Sequence, residues 1–124
     1  MFESTQVLTK KAEQPFLPLV YICSPYSGNV EKNTTAARAY SRFAVDNGAI
    51  PLTPHLLYPQ FMNDEEPNER ELAMFFNQVL QGKCQEVWVF DSHVSEGMAA
   101  EIALAELRHQ KIRYFDEGCK EVFK

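Results

Sequence analysis

The sequence predicts an α/β domain built on a parallel sheet, and three observations carry that prediction. Short apolar runs rich in β-formers alternate with helical stretches in the order β-α-β-α-β-α-β. The connections between them are short, which suits right-handed crossovers that place helices on both faces of the sheet. The 124 residues are enough for one core and too few for two.

Each element follows from its residues. Leu17 to Cys23 is an almost wholly apolar run and reads as a buried strand, broken at once by the turn-rich Ser24-Pro25-Tyr26-Ser27-Gly28-Asn29. From Val30 to Asp46 the positions Ala36, Ala37, Tyr40, Phe43 and Ala44 recur at helical spacing, and Asn47-Gly48 supplies the stop. Ala49 to Thr53 is a short apolar segment in which Pro51 cannot donate to a ladder, so it belongs at a sheet edge. Two prolines among large apolar residues make Pro54 to Met62 a structured loop. Glu69 to Gln81 has helical composition after an acidic start at Asp64-Glu65-Glu66. Glu86 to Phe90 is the clearest strand, with Trp88 and Phe90 as core residues; a helix follows from Ser95 to Gln110 and a last strand from Lys111 to Phe115. Asp116 to Lys124 is expected to be a tail with one turn or short helix, and residues 1–16 a flexible lead-in to a single domain over 17–124.

The bulk numbers exclude several classes. A net charge of −5 with scattered basic residues argues against a nucleic-acid partner. No apolar run reaches the roughly 20 residues of a membrane-spanning helix, and the first residues lack a secretory pattern, so a cytoplasmic protein is expected. Cys23, Cys84 and Cys119 are too few and too widely spaced for a disulfide framework or zinc site. His55, His93 and His109 have no ligand spacing among themselves, so neither metal nor cofactor is expected.

In open parallel sheets, ligands bind outside the carboxyl ends of the strands. There Glu101 sits one helical turn after Gly97, and helical side chains lean toward the helix N-terminus, so its carboxylate overhangs a residue with no side chain. Spacing alone leaves two readings balanced: a solvated carboxylate, or a cleft carboxylate able to attack the anomeric carbon of a sugar with a phenol from Tyr21 or Tyr26 beside it. Ser24, Ser27, Gly28 and Asn29 precede a helix N-terminus that favours an anion or an ordinary cap. His55 reads as a site residue or a satisfied half-buried imidazole.

Taken together and in order, V-Y-I-C-S-P-Y-S-G-N, G-A-I-P-L-T-P-H-L-L-Y-P-Q-F, E-V-W-V-F-D and S-E-G-M-A-A-E-I resemble the nucleoside 2-deoxyribosyltransferase-like superfamily, in its small bacterial and phage branch (DUF4406-like). The resemblance runs from about Pro18 to Phe115 and implies a flavodoxin-like three-layer α/β sandwich with a four- to five-stranded parallel sheet. It implies Glu101 as nucleophile, Tyr21 as the phenol that orients it, Ser95 as a phosphate contact, Gly97 beneath the sugar, and Ser24, Ser27 and Gly28 around the ligand. The implied activity is deoxyribosyl transfer or N-glycosidic cleavage of a nucleoside or nucleotide, in a homodimer or higher homo-oligomer. One position departs from the pattern: the acid that handles the leaving base falls on Gln78, which cannot give and take a proton as a carboxylic acid does. Asp91 or a residue of a second subunit is then needed in its place, or the domain binds or senses nucleotides without turning them over.

Overall fold

The computed structural model describes residues 15–124. The expected lead-in over 1–16 lies outside these residues except for Pro15 and Phe16, which are exposed coil. Five strands form one sheet: β1 (Leu19–Cys23), β2 (Ile50–Leu52), β3 (Glu86–Phe90), β4 (Lys111–Phe115) and β5 (Glu121–Val122). Their spatial order is β2-β1-β3-β4-β5, parallel throughout except for the antiparallel β4–β5 pair. The crossovers are α1 (Val30–Asp46), α2 (Pro67–Gly82) and α3 (Glu96–Leu107). The result is the three-layer α/β arrangement expected from the element order.

Side-chain alternation along β1 and β3 builds a core on each face of the sheet. On one face Val20, Ile22, Trp88, Phe90 and Phe115 pack beneath Tyr40 and Ala44 of α1. Phe90 stacks between Tyr40 at 4.4 Å and Phe115 at 4.8 Å, with Phe43 edge-on at 6.0 Å. On the other face Tyr21, Cys23, Val87 and Val89 pack against Met98 and Ala105 of α3. Each fully buried large apolar side chain contributes about 1.5–3 kcal/mol, so these two clusters fix the strand register.

Pro51 sits on β2, the outer strand of the sheet, where its missing N–H costs nothing. The 54–62 loop is tightened into two 3-10 turns, Pro54–Leu56 and Tyr58–Gln60, each with a proline in its first turn. The tail differs from the expected turn or helix, because it doubles back as β5. Asp116 closes the reversal by accepting from the N–H groups of Gly118 and Lys120, both at 2.9 Å. Arg113 then clamps β5 through a two-pronged bond to Glu121 at 2.9 and 2.7 Å while lying 4.7 Å over the Trp88 ring. Among the described residues no helix is long and apolar enough to cross a membrane.

Candidate functional site

The carboxyl ends of β1 and β3 and the first two turns of α3 bring two groups together that lie 80 residues apart in sequence. The Tyr21 hydroxyl donates to Glu101 Oε2 at 2.6 Å, a short charge-assisted bond. Tyr21 reaches α3 because it faces the same side of the sheet as Cys23, and β1 is an inner strand, next to the central β3. Cys23 lies beside the pair, its thiol donating to the Met98 carbonyl at 3.9 Å. From the opposite side Gln81 of α2 donates to the Glu101 backbone carbonyl at 2.8 Å, which ties α2 to α3 at this level.

Among the described residues no cation pairs with Glu101. Burial pushes the Glu101 carboxyl above its ordinary range, and the Tyr21 and Cys23 donors pull it partly back. The same burial, with the facing carboxylate, drives the Tyr21 phenol and the Cys23 thiol well above their usual ranges, so both stay protonated donors. Held by the neutral Tyr21 donor and, among the described residues, paired with no cation, the ionised carboxylate keeps its negative charge available to an electron-poor carbon.

Gly97 lies one turn before Glu101, and a methyl group built there would meet nothing within 4 Å. Ser95 caps α3, accepting from the Met98 N–H at 3.2 Å, and is exposed. Asp91 ends β3 with φ at 95°, a conformation rare for a residue with a side chain, and accepts from the His93 N–H at 2.9 Å. The surface grooves lined by Val79 and Arg108 and by Asn29 and Thr35 include neither Tyr21 nor Glu101.

The first loop forms a second group beside this one. Ser24 is 1% exposed and its hydroxyl has no partner among the described residues, while its carbonyl lies 2.9 Å from His55 Nε2. The His55 ring stacks on Tyr26 at 5.0 Å, and desolvation lowers its pKa, which keeps it neutral. Asp64, expected to be a solvated helix start, lies close enough for its charge to raise both Tyr26 and His55. Ser27 and Gly28 are exposed in the turn before α1, Gly28 at φ 98° where only glycine sits without strain. Asn29 caps α1 by accepting from the Lys32 N–H at 3.1 Å.

Gln78 does not join either group. It is exposed, and its backbone carbonyl accepts from Arg108 at 2.9 Å. The inward residue one place earlier is Asn77, whose buried carboxamide oxygen has no partner among the described residues. The sequence reading missed Cys23, Gln81 and Asp64. For Cys23 the signal was present, since alternation puts it on the Tyr21 face; for the other two, only the tertiary packing reveals the placement.

Asp91, His93 and Glu117 each offer a ligand atom within 4.8 Å of the others, a cluster that histidine spacing alone did not anticipate. Its members already clasp the loops after β3 and β4, because Glu117 accepts from the Ser92 hydroxyl at 3.1 Å. Its own and Ser92's donors hold the exposed Glu117 carboxyl below its usual range.

The family model described as "Domain of unknown function (DUF7768)" matches residues 18–115, from the start of β1 to the end of β4. A search of curated proteins finds no match.

Proposed function

This chain belongs to the DUF7768 family, and from its buried Tyr21–Glu101 pair we propose that it cleaves or transfers the N-glycosidic bond of a cytoplasmic nucleoside or nucleotide. The observation that carries the reading is the 2.6 Å bond from the phenol to a carboxyl raised by burial and, among the described residues, paired with no cation. The resemblance to nucleoside 2-deoxyribosyltransferases over Pro18 to Phe115 supports the reading, because it implies these roles for the same two residues.

In this reading a Glu101 oxygen attacks C1′ of the sugar, and the C1′–N bond breaks with its electron pair leaving on the base nitrogen. A proton must reach that nitrogen as the base departs. Water or a second base then attacks C1′, and the carboxylate is released unchanged. Tyr21 keeps the carboxylate oriented and ionised. Ser95 and the free N–H groups at the start of α3 take a phosphate, with Gly97 leaving room for the sugar, while Ser24, Ser27, Gly28 and the Tyr26–His55 stack border the ligand. Asp64 and Asp91 are the carboxylates open to the leaving-group side, and the protein works as a homo-oligomer.

A second reading has its own support. Gln78, where the resemblance calls for an acid, is exposed and engaged through its carbonyl. On that basis the domain binds or senses a nucleotide and leaves it intact.

Incubation with deoxynucleosides and their monophosphates, followed by chromatography for free base, separates the two. Base released by the native chain and lost in Glu101→Ala supports the enzyme. Calorimetric binding with ligand recovered unchanged supports the sensing module and refutes the catalytic reading.

A further inference from the structure

We propose that Asp91, His93 and Glu117, just past the carboxyl ends of β3 and β4, bind a divalent transition-metal ion of the zinc kind. The ion fastens the loop that leads into α3 to the turn that starts β5. The proposal does not rest on a reaction at Glu101. With Asp91 taken up as a ligand, Asp64 is the carboxylate left to the leaving-group side in the catalytic reading.

Each of the three residues offers one ligand atom, and these atoms lie within 4.8 Å of one another. His93 Nδ1 is 3.8 Å from Asp91 Oδ1. A tetrahedral zinc ion about 2.0–2.2 Å from nitrogen and oxygen ligands holds those atoms roughly 3.4 Å apart. The set must therefore draw in, and the fold leaves it free to do so. The His93 side chain is 94% exposed, whereas Asp91 is anchored at the end of β3 by its N–H on the Phe115 carbonyl at 3.1 Å. Glu117 is brought to the other two by Ser92, whose N–H and hydroxyl donate to its carboxylate at 3.3 and 3.1 Å. Those donors and its own N–H hold the Glu117 carboxyl below its usual range, so it is ionised and ready to coordinate.

Two further observations point to a cation. Negative charge gathers here without a basic partner: Asp116 adjoins Glu117, yet among the described residues the Arg side chains in ion pairs are Arg42 with Asp46 and Arg113 with Glu121. Independently, Tyr40 of α1 aims its hydroxyl at the same place. Its side chain is 3% exposed and stacks on Phe90 at 4.4 Å. Burial, and after it the neighbouring Asp91, Cys119, Glu117 and Asp116, push the phenol up to about 12. Although it faces these acids, the hydroxyl hydrogen-bonds none of the described residues. Buried hydroxyls seldom go without a partner. A zinc ion with three protein ligands keeps a fourth position for water, and that water is a donor for the phenol oxygen. The imidazole selects the metal, because magnesium and calcium prefer all-oxygen shells while zinc and its first-row neighbours accept nitrogen.

Calorimetric titration of the full chain with zinc chloride is the test, with magnesium chloride in parallel. The native chain should take up zinc saturably at micromolar concentration and no magnesium under the same conditions. His93→Ala and Glu117→Gln change exposed side chains and leave the core untouched. Each should bind zinc at least roughly tenfold more weakly, the least that loss of even a ligand's hydrogen-bond partner costs. His109→Asn, at the far end of α3, should bind as the native chain does. Cobalt(II) in place of zinc should give visible d–d absorption without an intense near-ultraviolet thiolate band, because no cysteine is a ligand. A native chain without saturable zinc uptake, or one that binds magnesium as tightly, overturns the proposal. So does native-like binding by His93→Ala or Glu117→Gln, an equal loss in His109→Asn, or a thiolate band in the cobalt spectrum.

Discussion

Replacing Tyr21 with Phe removes one oxygen from a side chain that is 1% exposed and leaves the ring in place, so packing barely changes. What is lost is the 2.6 Å bond to Glu101. A hydrogen bond to a charged group is worth about 1.5–3 kcal/mol, against about 1 kcal/mol for a neutral pair. While Glu101 is ionised, Tyr21→Phe should therefore lower the unfolding free energy by about 1.5–3 kcal/mol, roughly a ten- to hundredfold change in the folding equilibrium. When the solution is acid enough to protonate Glu101, the loss should shrink toward about 1 kcal/mol. Urea unfolding followed by fluorescence of the single, buried Trp88 reads the difference directly. A loss below about 0.5 kcal/mol at alkaline pH, or one that does not shrink in acid, would mean the phenol does not hold a charged carboxylate.

Glu101→Gln should stabilise the fold at neutral pH, because the buried carboxyl has its pKa raised in the folded state. The sign follows from proton uptake: the folded chain binds the proton more tightly, so native stability falls as pH climbs from the ordinary carboxylate range through the raised value. The Gln variant's advantage should therefore vanish in acid, and melting curves across pH that run parallel for the two proteins would contradict this. Phe90→Ala opens a cavity among Tyr40, Phe43 and Phe115 and should cost about 3–5 kcal/mol in the same urea assay. Ser95→Ala removes the cap on α3 and should cost about 1 kcal/mol; in the catalytic reading it also weakens binding of a monophosphate more than of the free nucleoside, measured by calorimetry.

What the sequence made legible follows from how local each signal is. β1 and β3 were evident because their apolar runs end in dense turn residues, and α1 matched from Val30 to Asp46 because Asn29 caps it and Asn47-Gly48 stops it. α2 begins two residues earlier than its composition suggested because Pro67 is already shaped for the first helical position. β5 was not legible: two residues carry no periodicity, and the strand exists through the Asp116 turn and the Arg113–Glu121 clamp. At the candidate site, spacing offered Glu101 only as one of two balanced readings. Its partner Tyr21 lies on another element, and a contact across 80 residues leaves no mark in local pattern. The resemblance named that pair, and the fold brings the two side chains together. It could not show that Gln78 faces outward while Asn77 and Gln81 face in, because a one-residue offset on a helix moves a side chain by about 100°.

The covalent step is the centre of this account, and intact-mass measurement of protein quenched in acid during incubation with a deoxynucleoside or its monophosphate tests it most directly. The account predicts a fraction of the native chain heavier by one deoxyribosyl residue, mapped by peptide sequencing to Glu101 and absent from Glu101→Ala. Free base released with the adduct on another residue, or equally from Glu101→Ala, would contradict it, and so would a chain that neither gains mass nor frees any base.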